Sequence, residues 1–287
     1  MNMTDRVVRN ISDTASWVAY LRAQESQRPD ALFHDPYAKG LAGERGSQIA
    51  NALRDGAKHQ WAWAARTYLF DKFVSRAVKG GCEVVLNLAA GLDTRPYRLD
   101  LPSTLLWVEA DLPQVISYKE RALAGENARC RLERIELDLS DLRARQQVFA
   151  DLNRAGLTTV VMAEGLLIYL DAEEVGSLAD DLAACEHFGS WIVDLVSPCQ
   201  LRLMQRGMGK QLGEAGAPFR FGPIEGPDFF ARSGWKTKEV CGFLRTAAEL
   251  KRLPGELYCL LPEPEGVFVN YPWSGLCVLE RDGGTQT

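Results

Sequence analysis

A chain of 287 residues with 46% hydrophobic and 25% charged side chains has the size and composition of one large folded unit, which excludes disordered and fibrous classes. Its net charge of −5 argues against tight binding to nucleic acid or to an anionic membrane. Seven cysteines with no C-x-x-C pair are expected to be reduced thiols of a cytoplasmic protein, and the lack of an apolar N-terminal region or of any 18-residue apolar run predicts neither a signal peptide nor a membrane span.

Residues 12–27 predict a helix: Ser12 to Thr14 offer caps, Trp17, Tyr20 and Leu21 recur at helical spacing, and Arg28-Pro29-Asp30 ends it. A loop with a turn at Asp35-Pro36 covers 32–38. Residues 47–78 predict mainly helix, with Ile49, Leu53, Trp61, Ala65, Leu69 and Phe73 on one broad face. From residue 82 onward strands and helices alternate. Strands are expected at about 82–88, 104–109, 130–137, 158–163, 189–196, 236–242 and 275–281. Helices are expected at about 113–125, 141–154, 171–187, 226–234 and 244–252. Such alternation predicts an α/β fold, a doubly wound and mostly parallel sheet of seven strands. The chain then reads as a single domain over 1–287, with a helical cap at 1–80, a cofactor-binding core at 81–196, a lid or insertion at 197–226 and the rest of the sheet at 227–287. The 197–226 segment holds six glycines and four Arg/Lys side chains after the fifth strand, a place where substrate selectivity often resides.

The stretch Cys82 to Pro113 organises the rest. Glu83 to Leu88 is a short apolar run, Ala89-Ala90-Gly91-Leu92-Asp93 a small-residue turn, and Thr94-Arg95-Pro96 a helix start with Thr94 as cap. A second strand ends on two acids, Glu109 and Asp111, either of which can accept from ribose hydroxyls. A dinucleotide site needs G-x-G-x-x-G, so that pyrophosphate can lie on bare backbone. Here only Gly91 is a glycine; Ala89 and Thr94 stand at the flanking positions. The turn therefore suits a nucleoside without phosphate, such as S-adenosylmethionine. Two alternatives remain: a nicotinamide-dependent oxidoreductase, and a non-catalytic nucleoside- or partner-binding protein.

Four spaced segments carry a resemblance: NLAAGLDTR at 87–95, VEADLP at 108–113, LDLS at 137–140 and AEGLLIYL at 163–170, preceded by LFHDPYA at 32–38 and WAARTYLFD at 63–71. Together they resemble the leucine carboxyl methyltransferase family, including its bacterial branch with polyketide carboxyl O-methyltransferases. The similarity runs from about residue 12 to residue 170 and departs at Ala89, where the family usually has glycine. It implies a class I methyltransferase-type sheet with an antiparallel seventh strand, S-adenosylmethionine as cofactor and a small-molecule acceptor bearing a carboxylate or a phenol. It also implies that Arg66 takes the methionine carboxylate and Glu164 the amino group. Asp138 would accept from the adenine amine, Leu139 would pack on the ring, and Ala89, Gly91 and Glu109 or Asp111 would line the rest of the cofactor.

A carboxylate acceptor is ionised at neutral pH and needs no base, whereas a phenol, with a pKa of about 10, would benefit from one. Tyr169 is the candidate for orienting the acceptor. Arg202, Arg206 and Arg220 are candidates for steering an anion, although the solvated reading is preferred for each. For Arg22 an ordinary surface charge, and for Asp194 a cap near the sheet edge, are likewise preferred. His34, His59 and His187 show no metal-ligand spacing, so no metal is expected. The sequence leaves the oligomeric state open.

Overall fold

A computed structural model describes residues 11–52, 60–261 and 270–282. In chain order the helices are α1 (Ile11–Ser26), α2 (Ala38–Ala52), α3 (Gln60–Lys79), α4 (Arg95–Arg98), α5 (Pro113–Ala122), α6 (Leu142–Arg154), α7 (Ala172–Ala183), α8 (Pro198–Glu214) and α9 (Phe243–Glu249). The strands are β1 (Val84–Leu88), β2 (Leu106–Asp111), β3 (Arg131–Glu136), β4 (Thr159–Ala163), β5 (Phe188–Val196), β6 (Trp235–Gly242) and β7 (Ser274–Arg281).

The seven strands form one sheet in the order β3-β2-β1-β4-β5-β7-β6. Pairings among β1 to β5 are parallel, and β7 runs antiparallel between β5 and β6. β1 and β4 are buried at every residue because helices cover both faces of the sheet. Alternation divides their side chains between two cores. Val84, Leu86, Leu88, Val161 and Ala163 pack with α6 and α7 on one side, while Val85, Val160 and Met162 pack with α3 and α9 on the other. The order of the strands reverses at β1, which pairs with β2 on one side and β4 on the other, so a crevice opens beyond their C-terminal ends.

Two expected helices, at 47–78 and 226–234, are corrected. The helix expected over 47–78 is α2, which begins already at Ala38, and the separate α3; residues 53–59, with Leu53, lie outside the described segments. α2 is interrupted at Gly43 (φ 54°, ψ −164°), a backbone conformation open to glycine, so its apolar side chains do not form one continuous stripe. The 197–226 segment is largely a 17-residue helix, α8, capped by Ser197 Oγ accepting from Gln200 N–H. Its three glycines mask the helical signal, but Leu201, Met204, Met208 and Leu212 recur on one face and pack with Trp17, Leu21 and Ile49. The expected helix at 226–234 is a 3₁₀ stretch, Gly226–Ser233. All seven cysteines are free. Among the described residues no helix is long and apolar enough to cross a membrane.

Candidate active site

A cavity of about 600 Å³ lies over the ends of β1, β2, β4 and β5 and is roofed by α1, α3 and α8. Its floor is the turn after β1. Ala89 and Gly91 both have φ near 50°, in the left-handed region that is easy for glycine and costly for alanine. Gly91 N–H donates to Asp111 Oδ2 at 2.6 Å, and Leu112 N–H donates to Oδ1 at 2.7 Å, so the Asp111 carboxylate is fixed at the strand tip against the turn. Burial raises its pKa, partly offset by these two N–H groups. Thr94 occupies the cap position of α4, but its hydroxyl donates to Asp35 Oδ2 at 2.7 Å rather than capping the helix.

A chain of buried ion pairs runs along one wall. Arg22 pairs with Asp35 at 2.9 Å, and Arg98 reaches both Asp35, at 4.0 Å, and Asp71, at 2.6 Å. Arg95 pairs with Asp71 at 2.7 Å, Asp93 at 3.0 Å and Glu164 at 2.8 Å. Arg66 continues the chain to Glu164 at 3.0 Å and Asp194 at 3.4 Å, with its guanidinium 4.3 Å from the Trp63 ring. Burial pushes the Glu164 carboxyl up, but the charges of Arg95 and Arg66 outweigh it and hold the group below the usual carboxylate range. Asp93 is held low in the same way, by Arg95, Lys119 and Arg98 acting against burial. Asp194 goes the other way: burial, with Glu164 adding to it, outweighs Arg66 and the Gly165 N–H and raises its pKa.

Two donors in this chain are left over, Arg98 Nε, 4.0 Å from Asp35, and Arg66 Nε, which belongs to a residue that lines the cavity. Arg66 Nε lies close to Glu164 Oε1 but is not aimed at it, and makes no hydrogen bond. Gly165 explains how Arg66 fits so closely: it has φ 67°, and a Cβ there would sit 3.0 Å from Arg66 Nη1.

The structure gathers Arg66, Ala89, Gly91, Asp111, Asp138, Leu139, Glu164 and Tyr169 around the one cavity. Glu109 is the exception among the expected residues. It lies two residues before the strand tip and is fully buried, with Oε1 2.7 Å from Lys119 Nζ and Oε2 2.9 Å from Arg134 Nε. Both of its oxygens are taken by cations, so it is a core ion pair, and Asp111 is the acid that faces the crevice. Asp138 accepts from the backbone and hydroxyl of Ser140, while Asp141 caps α6. Tyr169 stacks at 5.5 Å on Phe219, and burial raises its pKa.

Arg202, Arg206 and Arg220 are exposed and do not line the cavity. Arg22 is buried and ion-paired rather than solvated. Asp194 also departs from its expected place. β5 is an interior strand, and Asp194 lines the cavity, accepting from Gly165 N–H at 2.6 Å. Among the described residues no cluster of three or more His, Cys, Asp or Glu side chains is arranged to hold a metal ion.

Six strands with a reversed, antiparallel seventh, and a cleft at the β1 switch point floored by a small-residue turn, make up a sheet of the class I methyltransferase type. Comparison with known proteins makes the assignment specific. Residues 15–183 match the leucine carboxyl methyltransferase family. A protein of Mycolicibacterium smegmatis, named as an S-adenosyl-L-methionine-dependent methyltransferase, is 36% identical over 223 residues, 71% of this chain and 72% of its own length. One from Frankia alni with the same type of name is 34% identical over 256 residues, covering 85% and 90% of the two chains. Among solved structures, a DUF574-family protein of Streptomyces avermitilis superposes with a TM-score of 0.59 at 12% identity, over 93% of this chain and 97% of the other. A Thermobifida fusca protein described as a methyltransferase gives 0.56 at 13% identity and 97% of each chain. The chain belongs to the leucine carboxyl methyltransferase family. It is an S-adenosylmethionine-dependent methyltransferase, which displaces the nicotinamide and non-catalytic alternatives.

Proposed function

We propose that the protein methylates a carboxylate oxygen of a small, largely apolar acid, the class to which polyketide and other secondary-metabolite acids belong. One observation carries this reading. Among the described residues, the cavity lining contains no histidine, lysine or cysteine, and its carboxylates are already engaged. Asp93, Glu164 and Asp194 are ion-paired, Asp111 holds two backbone N–H groups, and Asp138 holds Ser140. Tyr169, the other titratable group nearby, has a raised pKa and stays a neutral phenol at pH 7. Each carboxylate there already holds a partner, and an ionised acceptor requires none of them to take a proton.

The residues present fit the cofactor. The cavity volume lies in the range of small-molecule sites, and the orphaned Nε of Arg66 is a buried donor in want of an acceptor. In this reading Arg66 binds the methionine carboxylate, for which a guanidinium is well shaped, and Glu164 binds the ammonium. Asp111 accepts from the ribose hydroxyls, Asp138 from the adenine amine, and Leu139 packs on the ring. Ala89 and Gly91 form the floor. When bound, S-adenosylmethionine supplies an electrophilic sulfonium methyl. The protein's part is to align the acceptor and exclude water. In this reading Trp17, Leu203, Met204, Met208 and Phe219, which line the cavity, form an apolar wall for the acceptor's body, and Tyr169, which lines it too, orients the acceptor.

The test is a pH–rate profile on matched panels of apolar carboxylic acids and phenols between pH 6 and 10. Turnover of acids at a rate that stays flat across this range is expected. Turnover of phenols alone, climbing as the phenol ionises, would overturn the carboxylate assignment.

A further inference from the structure

We propose that Asp194, at the C-terminal end of β5, is a cofactor-discriminating residue: its carboxylate gives the ion-paired wall of the site an excess negative charge that favours the cationic cofactor over its neutral product. The inference rests on the reading of Arg66 and Glu164 as the partners of the methionine arm.

The argument is one of charge balance. Along the ion-paired wall, four guanidiniums (Arg22, Arg66, Arg95 and Arg98) face five carboxylates (Asp35, Asp71, Asp93, Glu164 and Asp194). Arg22 is matched by Asp35, Arg98 by Asp71, Arg95 by Asp93, and Arg66 by Glu164. Asp194 has no cation to itself. Its neighbours are Arg66 at 3.4 Å, already shared with Glu164, and the Gly165 N–H.

The methionine arm of S-adenosylmethionine carries an ammonium, a carboxylate and a sulfonium, a net charge of +1. After methyl transfer the sulfonium becomes a thioether and the arm is neutral. Arg66 and Glu164 complement the carboxylate and the ammonium, which are the same before and after the reaction. Only an additional carboxylate answers the charge that is lost. On the ion-paired wall Asp194 is that group: it lines the cavity and its side chain is only 13% exposed, so its field is poorly screened, while Asp111 and Asp138, the other cavity acids without a cation, are held by backbone N–H groups and Ser140 and are assigned to the ribose and the adenine. Its raised pKa, caused by burial and by Glu164, reflects the same shortage of nearby positive charge.

The consequence is differential affinity. Replacing Asp194 by asparagine keeps the shape and an oxygen that can accept from Gly165 N–H, while removing the charge. Calorimetric titration of Asp194→Asn with S-adenosylmethionine and with S-adenosylhomocysteine should show the first weakened by about tenfold or more and the second changed by less than about threefold. Asp194→Glu, which keeps the charge, should restore the preference at least in part. Equal weakening of both ligands by Asp194→Asn would make the residue a mere brace for Arg66 and overturn the proposal, as would no change in either. Thermal denaturation of each variant separates binding effects from loss of fold. Glu164→Gln and Arg66→Ala are titrated in parallel. If these leave both ligands bound as before, the methionine-arm reading itself fails. If they weaken both ligands and Asp194→Asn does not discriminate, only the charge-selection role falls.

Discussion

Replacing Ala89 by glycine isolates the cost of the departure at the cofactor turn. The residue follows β1, is half-buried against the core and has φ 50°. An L-residue with a Cβ in the left-handed region costs about 1–2 kcal/mol relative to a right-handed conformation, and glycine does not incur this penalty. Glycine loses more conformational freedom on folding, which returns about 0.4–1 kcal/mol of the gain. The balance is a stabilisation of about 0.5–1 kcal/mol. For a chain of this length that corresponds to a rise in Tm of about 1–2 °C. Differential scanning calorimetry of the ligand-free protein measures it. The same variant should bind S-adenosylmethionine within about threefold of the wild type, because Ala89 already holds the conformation that glycine would adopt and the floor does not move. A fall in Tm would refute the claim that the turn stores strain. A gain in cofactor affinity beyond about tenfold would show that the methyl group itself obstructs the site.

Three further predictions follow from the site. Glu109→Gln leaves Lys119 as a buried, unmatched ammonium and should cost about 3–5 kcal/mol, read as a drop in chemical-denaturation midpoint; Asp111→Asn should leave the fold largely intact and weaken S-adenosylmethionine instead. The pKa directions set an acid limit. Asp35, Asp93 and Glu164 are held low, so their stabilisation is full above about pH 4, their unfolded range, and is lost as pH falls further through their folded values. Asp111 and Asp194 are raised and contribute the opposite sign, losing stability as pH rises through their folded values, so melting temperature should hold down to about pH 4 and fall only below it. Alanine at Arg202, Arg206 and Arg220 together should leave kcat/KM for a carboxylate acceptor within about twofold, since all three are exposed and off the cavity; a tenfold loss would assign them a steering role.

The sheet was legible because its strands are short, apolar and separated by turn residues. Val84–Leu88 and Thr159–Ala163 are buried on both faces, so their sequences are nearly uninterrupted runs of apolar residues. The helical roof was less so. The glycines of α8 at 207, 209 and 213 lower helix propensity, yet at 207 and 213 an added Cβ would meet nothing within 4 Å. They sit where side chains are not needed, and the packing of Leu201 and Leu212 against Trp17 and Ile49 overrides local preference.

Glu109 and Asp194 show where the reading of acids at strand ends breaks down. Both lie two residues before the end of a strand beside the crevice, and by position alone they are equivalent. Their environments differ through residues remote in sequence. Glu109 meets Lys119 from α5 and Arg134 from β3, so each oxygen has its own cation and the side chain is sealed into the core. Asp194 meets Arg66, 128 residues away, and must share it with Glu164. A carboxylate with two cations of its own gains nothing from a cationic ligand, whereas one that shares a single cation does. Sequence spacing does not encode that count; the sheet order that brings α3 and β5 together does. Of these two acids the one left short of positive charge is therefore the one to examine for ligand binding, and that acid is Asp194.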